Sequence, residues 1–222
     1  NVGTSTLFNC LSSAKAQSAN YPFCTIDAQQ GQISVPDERL NKLAELVKPG
    51  RIVPATCDIV DIAGLVKGAS QGEGLGNQFL GNIRETDAII HVLRCFDNDN
   101  IVHVDGSVNP VRDKEIIDAE LQLKDLETVE NRIKRVEKQA KVGGDKQAKL
   151  SKYREVLLQG KSARTVTFET EDEQNAAKSL FLLTTKPVLY VCNVDDTAAA
   201  NGNPYVEAVR EAIKDEEAEL LI

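Results

Sequence analysis

The first residues that could do chemistry open the chain, where Gly3 and three hydroxyl residues lead into an apolar segment over residues 1–8 (NVGTSTLF). A phosphate loop wraps backbone N–H groups around a phosphate, points a helix N-terminus at it, and offers its last Ser or Thr hydroxyl to Mg²⁺. Ser5 stands where that hydroxyl belongs, whereas Thr4 stands where such loops usually have Lys. A helix N-cap formed by Ser or Thr would give the same local pattern. The segment is therefore a weak signal by itself.

A second motif, Asp-x-x-Gly over residues 61–64, directly follows an apolar run. In nucleotide switches the Asp of this motif holds the Mg²⁺ shell and the Gly N–H senses the γ-phosphate. A turn that closes a strand is the alternative. Four glycines over residues 68–76 favour the switch, because a γ-phosphate-dependent segment must be mobile. Leu65 occupies the place of the water-positioning Gln of many GTPases, and an aliphatic side chain cannot orient water.

A third motif, Asn193-Val194-Asp195-Asp196, follows an apolar strand and resembles the guanine-reading Asn-Lys-x-Asp pattern with its Lys replaced by Val194. Base-reading loops lie at such strand ends. Asp196 could still accept hydrogens from guanine, so the motif leaves the base open. The order of phosphate loop, Thr25-bearing loop, Asp-x-x-Gly and Asn-x-x-Asp is that of GTPases, and it predicts nucleotide binding.

The elements that would position these motifs alternate between helices and strands, which predicts an α/β fold with a mainly parallel sheet. Apolar periodicity and turn residues predict the following elements: helices over 5–16, 37–47 and 205–213, and strands over 32–35, 57–62, 88–95, 187–193 and 219–222.

Apolar residues recur at three- and four-residue steps from Ile116 to Ala140, and a second helical stretch follows Gly143-Gly144. The pattern predicts an antiparallel coiled-coil hairpin over residues 112–164, inserted into an α/β domain formed by 1–111 and 165–222. Two ordinary domain helices are the alternative. Gly160 is the expected C-terminal glycine of the second helix.

Charge is distributed unevenly along the chain. Residues 131–164 contain eleven basic and three acidic residues, a net charge of +8 in a chain whose total is −8. Solvated helix faces usually mix both signs. The segment is either a Lys-rich solvated hairpin or a basic arm that contacts the phosphates of ribosomal RNA. The acidic remainder makes the whole chain a poor generic nucleic-acid binder.

Composition indicates a reduced, cytoplasmic protein. The five cysteines form no C-x-x-C pair, and no apolar run is long enough for a membrane helix. The chain has no Met and begins inside its first motif. We therefore expect a natural N-terminus before Asn1, including a strand that would be central in the sheet.

These motifs together resemble the YchF, or Obg-like ATPase, family over essentially the whole chain. The resemblance rests on NVGTSTLFN, NYPFCTI, the long switch block VDIAGLVKGASQGEGLGNQFLGNIRETDAI, RCFDNDN and KPVLYVCNV. It implies a Ras-like domain with a coiled-coil insertion, a C-terminal TGS domain absent from this chain, Mg²⁺ as cofactor, ATP preferred over GTP, and the ribosome as partner.

The resemblance also implies roles for individual residues. His103 would replace the missing water-positioning Gln as the catalytic residue. The implied nucleotide-binding residues are Asn1, Val2, Gly3, Thr4, Ser5, Thr6, Gly64, Asn193, Val194 and Asp196, and the implied Mg²⁺ residues are Ser5, Thr25 and, through a water, Asp61.

Two residues depart from the family pattern and keep alternatives open. Thr4 replaces the phosphate-binding Lys, so a non-hydrolysing nucleotide-binding scaffold is one alternative to an ATPase switch. Asp196 stands where the family usually has Glu, so a GTP-specific GTPase is another.

Overall fold

The computed structural model describes residues 2–12, 29–62, 75–103, 105–138, 144–168, 170 and 178–222, with the backbone alone at 75–78 and 144–147. Contacts divide the chain into two compact units, one of residues 3–63 and one of Val2 with residues 64–222. The predicted domain boundaries at 111/112 and 164/165 stay a prediction. No helix among the described residues is both long and apolar enough to span a membrane.

The first unit contains helix α1 (Thr4–Leu11), strand β1 (Gln29–Ser34), helix α2 (Glu38–Val47) and strand β2 (Thr56–Asp61). The two strands pair antiparallel, with Gln29 opposite Asp61. Asp37 caps α2 by accepting a hydrogen bond from the Arg39 N–H. Within the described residues α1 ends at Leu11, because Ser12 has extended backbone, so the helix predicted to run to residue 16 stops earlier.

Close packing in this unit depends on a glycine in β1. A Cβ built on Gly31 would lie 2.6 Å from the Ser12 Cβ and 3.1 Å from the Phe8 ring. Phe8 is buried under the strands, so β1 reaches α1 only because residue 31 has no side chain.

The second unit contains a sheet of three parallel strands in the order β3 (Ile89–Arg94), β4 (Val188–Asn193) and β5 (Glu219–Leu221). Helix α3 (Leu75–Arg84) precedes β3, and helix α6 (Pro204–Ala212) lies between β4 and β5. The buried cluster here is formed by Leu93, Cys95, Tyr190, Cys192, Val206, Val209 and Ile213. These strands match the prediction to within one residue at each end, and the parallel sheet confirms the predicted α/β class.

Two long helices, α4 (Pro110–Lys138) and α5 (Gly144–Leu158), form the region predicted as an inserted hairpin. Val129 of α4 packs with Leu150, Tyr153 and Leu157 of α5, and Arg154 pairs with Glu130 at 3.4 Å. The helices therefore pack along the predicted apolar stripe, while the coiled-coil geometry itself stays a prediction.

The end of α5 has the predicted glycine. Gly160 has φ +70, and the N–H groups of Gly160 and Lys161 donate to the carbonyls of Leu157 and Val156 at 3.0 and 3.1 Å. This is a Schellman motif, which requires the left-handed residue that glycine supplies.

Buried polar residues anchor α4 to the rest of the second unit. The Lys114 ammonium lies 2.7 Å from Asp118 and 2.6 Å from Glu216, and the Tyr190 hydroxyl donates to Glu216 at 2.9 Å. Further along α4, the Asp125 carboxylate accepts from the N–H groups of Leu183 and Thr184 and from the Thr184 hydroxyl, each at 2.7 Å. These contacts tie both ends of the buried half of α4 to neighbouring elements.

Candidate nucleotide site

The start of α1 is an uncapped helix N-terminus that a left-handed glycine precedes. Gly3 precedes the helix with φ 95, a left-handed conformation that side chains disfavour, and no side chain caps the helix. The alternative of a Ser or Thr N-cap is therefore not what the structure shows. The N–H groups of the first turn have no acceptor within the helix, and a helix N-terminus with such groups favours an anion.

Ser5 and Asp61, the two predicted metal residues that the structure describes, lie together in the first unit. The Ser5 hydroxyl donates to the Asp61 Oδ2 at 2.6 Å. The Asp61 carboxylate is only 5% exposed, at the end of β2 beside α1. The third predicted metal residue, Thr25, lies outside the described residues, as do Asn1 and Gly64.

This pair of oxygens suits a hard cation. A hydroxyl and a carboxylate are the oxygen ligands that Mg²⁺ prefers, and the carboxylate supplies the negative charge. Thr4 beside them is half-buried and Thr6 is exposed. The residues present therefore fit Mg²⁺, with one ligand position predicted outside the described part of the chain.

The predicted base-reading loop follows β4 in the second unit. The Asn193 side-chain amide donates to the carbonyl of Val2, which belongs to the same unit, at 2.8 Å. Val194 packs against the buried cluster of the parallel sheet. Asp196 is exposed. Asn193 thus anchors the start of the loop, and solvent reaches the Asp196 carboxylate.

Asp195, which no prediction singled out, shapes this loop. It accepts hydrogen bonds from the Thr197 hydroxyl at 2.6 Å and the Ala198 N–H at 3.0 Å. The bond from Thr197, followed by that from Ala198, holds the pKa of Asp195 below its usual value. Asp followed closely by Thr is a typical turn signal and could have been recognised in the sequence.

His103 lies in the second unit with both ring nitrogens engaged. Its Nε2 is 2.8 Å from Asp113 Oδ2, and its Nδ1 accepts from the Asp105 N–H at 3.1 Å. The neutral ring therefore has its proton on Nε2. Arg112 Nη2 lies 3.0 Å from the other Asp113 oxygen. In this arrangement the imidazole can orient a water only after one of its two hydrogen bonds is exchanged.

Ligand atoms of His103, Asp105 and Asp113 lie within 4.8 Å of one another, as in a metal site. Arg112 contacts both carboxylates, at 3.9 Å from Asp105 and 3.0 Å from Asp113. Its guanidinium already supplies the positive charge that a cation would bring to this cluster.

Arg94 is a buried residue that sequence reasoning missed. It is 3% exposed at the end of β3, and its guanidinium donates to the carbonyls of Phe96, Ile101 and Asn98 at 3.1, 2.9 and 3.1 Å. A charged residue at the end of an apolar strand was the available signal. Arg94 thereby positions the loop that leads to His103.

Comparisons with known proteins identify relatives of this chain. A family model described as a 50S ribosome-binding GTPase matches residues 1–139. The chain is 54% identical, over all of its length and 62% of the relative, to a protein of Bacillus subtilis named ribosome-binding ATPase YchF. It is 55% identical to the protein of the same name in Escherichia coli O157:H7, over 95% of this chain and 59% of the relative.

A solved structure titled as the YchF GTPase of Schizosaccharomyces pombe superposes with a TM-score of 0.79 at 37% identity, covering 100% of this chain and 62% of that one. The chain thus spans about 60% of the length of the relatives that it matches. With the family model matching more than half of its residues, the chain belongs to the 50S ribosome-binding GTPases, within their YchF, or Obg-like ATPase, branch.

Proposed function

We propose that this chain is the nucleotide-binding part of a Mg²⁺-dependent ATPase switch that acts in the cytoplasm on the ribosome and binds ATP in preference to GTP. The observation that supports this most directly is the 2.6 Å hydrogen bond between Ser5 and Asp61. The last residue of the phosphate-loop motif and the first residue of the switch motif, 56 positions apart, meet where a nucleotide-bound Mg²⁺ would need both.

The residues of the site would divide the work between binding and positioning. N–H groups at the start of α1 would hold the phosphates, and Ser5 with Thr25 would hold Mg²⁺, with Asp61 acting through a water. When bound, Mg²⁺ neutralises charge on the phosphate oxygens. Asp196 and Val194 would face the base, and His103 would orient the attacking water once it exchanges one of its hydrogen bonds.

Two observations favour alternative functions at the same site. Thr4 lacks the ammonium that stabilises charge on the β/γ oxygens, which favours a scaffold that binds without hydrolysing. The exposed carboxylate of Asp196 favours guanine, whose N1 and N2 hydrogens it can accept. Val194 favours adenine, because it removes the Lys stem that lines the base in guanine-specific sites.

Calorimetric titration of ATP and of GTP, each with and without Mg²⁺, tests the assignment. We expect ATP to bind more tightly, and both affinities to fall when Mg²⁺ is removed. GTP binding tenfold tighter than ATP, about 1.4 kcal/mol, would overturn the ATP preference.

The proposed ribosome contact is the basic segment of residues 131–164. Reversing Lys138, Lys141, Lys146 and Lys149 to Glu should abolish co-sedimentation with ribosomes and leave ATP binding unchanged, because counterion release from RNA phosphates needs those charges. The matched control reverses four exposed basic residues elsewhere: Lys42, Lys48, Arg51 and Lys178. If the first variant still pellets with ribosomes at the same salt concentration, the segment is only a spacer.

A further inference from the structure

We propose that a cleft on one side of α4 is a phosphate-binding site. The cleft has a volume of about 290 Å³. It is lined by six residues: Thr128, Asn131, Arg132, Arg135, Ser179 and Leu180. RNA as the ligand of this cleft rests on the proposed function. The cleft adds to that function the place in the basic segment where a phosphate binds.

The two arginines are presented together by the helix. Four of the lining residues belong to α4 and are spaced by three, one and three positions: Thr128, Asn131, Arg132 and Arg135. This spacing places them on one face of the helix. The neighbouring stripe, which includes Val129, is buried against α5, so α4 cannot rotate this face away. Leu180, on the opposite wall, packs against the same buried cluster. Both walls of the cleft are therefore held by the core.

The charge of the cleft is one-sided. Its lining includes two guanidinium groups and no acidic residue. Two acids of α4 that precede the arginines bind other cations: Glu130 pairs with Arg154 at 3.4 Å and Glu127 with Lys124 at 2.8 Å. In the part of the chain that the structure describes, neither Arg132 nor Arg135 has an ion-pair partner. Two like charges one turn apart repel, and an oxyanion between them would relieve that repulsion.

The donors in the cleft suit phosphate in particular. Each guanidinium presents a planar fork of N–H groups that matches two oxygens of a phosphate, and the Asn131 amide can supply a further donor. The Thr128 hydroxyl already donates to the Lys124 carbonyl at 3.0 Å, so the arginines and Asn131 are the residues assigned to the ligand. A backbone phosphate of RNA and a free phosphate or pyrophosphate share this chemistry.

The test follows the arginine Nε–Hε signals by NMR while inorganic phosphate, pyrophosphate or an RNA hairpin is added to the full chain. We expect the Arg132 and Arg135 signals to shift and saturate, and to do so at lower concentration for RNA than for inorganic phosphate. Saturation with pyrophosphate alone would support the cleft with a free phosphate as its ligand. Signals that stay unmoved by all three probes would overturn the proposal.

A matched pair of variants separates this cleft from general charge. Arg132→Gln with Arg135→Gln should weaken RNA binding and lower the slope of log affinity against log salt by about 1 to 2. Lys134→Gln with Lys161→Gln removes the same charge from exposed positions outside the cleft lining and should change the slope by less than half as much. Equal losses in the two variants would mean that charge acts diffusely and that the cleft is not a site.

Failure of this proposal can be told apart from failure of the proposed function. If the cleft binds no phosphate, the native chain should still co-sediment with ribosomes. Reversing Lys138, Lys141, Lys146 and Lys149 should still abolish that co-sedimentation. If the native chain does not pellet with ribosomes but pyrophosphate still shifts the Arg132 and Arg135 signals, the cleft stands and the ribosome assignment fails.

Discussion

At the scale of single residues, the candidate site depends on hydroxyl, carboxylate and imidazole groups whose partners the structure identifies. Ser5 donates to Asp61, and His103 lies between Asp113 and the Asp105 N–H. The first contact joins two residues that motif order had assigned to one metal. The second was not predicted, because nothing in the sequence indicates which acid near a loop histidine will face its ring.

We predict that Thr4→Lys raises kcat for ATP far more than it tightens ATP binding. A Lys ammonium stabilises charge that develops on the β/γ oxygens as the bond breaks, which a hydroxyl cannot do. Single-turnover and steady-state kinetics with calorimetry on both chains measure the two effects. Hydrolysis by the native chain as fast as by the variant would show that Thr4 does not limit the reaction.

We predict that His103→Ala lowers kcat by about 10²-fold and leaves nucleotide affinity nearly unchanged, because the imidazole is assigned to the water and not to the nucleotide. The measurement is best made in the Thr4→Lys background, where turnover is expected to be higher. Asp113→Asn serves as a companion variant that alters the ring's partner but keeps the imidazole. A parallel loss of affinity, or an unchanged rate, would make His103 an ordinary loop residue.

At the scale of elements, the strands and helices were largely predictable from periodicity. The strand predicted over 187–193 is β4, and the helix predicted over 205–213 is α6 within one residue at each end. The strand predicted over 32–35 begins earlier, at Gln29, because β1 continues pairing until Gln29 meets Asp61 at the end of β2. Pairing partners depend on tertiary structure, and the polar residues 29–30 gave no apolar signal.

The polar anchors of α4 were less predictable. Asp125 lies within an amphipathic pattern where a charged residue is usually solvent-exposed, yet it is fully buried and accepts three hydrogen bonds. Burial raises its pKa despite the bonds from Thr184 and Leu183 that oppose the shift. A carboxylate that caps a distant turn has no local signature in sequence.

We predict that Asp125→Asn destabilises the chain by about 1 to 3 kcal/mol. The amide would turn an NH₂ group toward one of two buried N–H donors, which leaves that donor without an acceptor. Urea unfolding monitored by circular dichroism measures the difference, with the exposed Asp99→Asn as control. A change below about 0.5 kcal/mol would show that the buried bonds add no net stability.

At the scale of the whole molecule, we predict a dependence of stability on pH that His91 contributes. Burial of this ring lowers its pKa from 6.5 to about 4, against the opposing effect of the nearby Asp118 carboxylate. Between pH 6.5 and pH 4, the His91 ring therefore binds a proton in the unfolded chain and stays neutral in the folded chain. The stability contributed by His91 is present above pH 6.5 and decreases as the pH falls toward 4, by up to about 3 kcal/mol.

The His91 contribution can be isolated by comparing the native chain with His91→Phe and His91→Gln in urea unfolding at several pH values. Both variants should lose less stability than the native chain between pH 6.5 and 4, because neither Phe nor Gln binds a proton in this range. Identical pH slopes for the native and variant chains would show that the ring is protonated as easily in the folded state as in the unfolded state.

The four cysteines that the structure describes differ in how a small electrophile could reach them. Cys10 and Cys57, in the first unit, are exposed, whereas Cys95 and Cys192, in the parallel sheet of the second, are 0% and 1% exposed. Alkylation of the exposed pair reports ordinary collision with the reagent. Alkylation of the buried pair requires the ends of β3 and β4 to open, so its rate measures how often that part of the sheet opens. Resolving the labelled cysteines by mass spectrometry would therefore time the opening of the parallel sheet without any introduced probe, with Cys10 and Cys57 as the reference for the reactivity of the reagent.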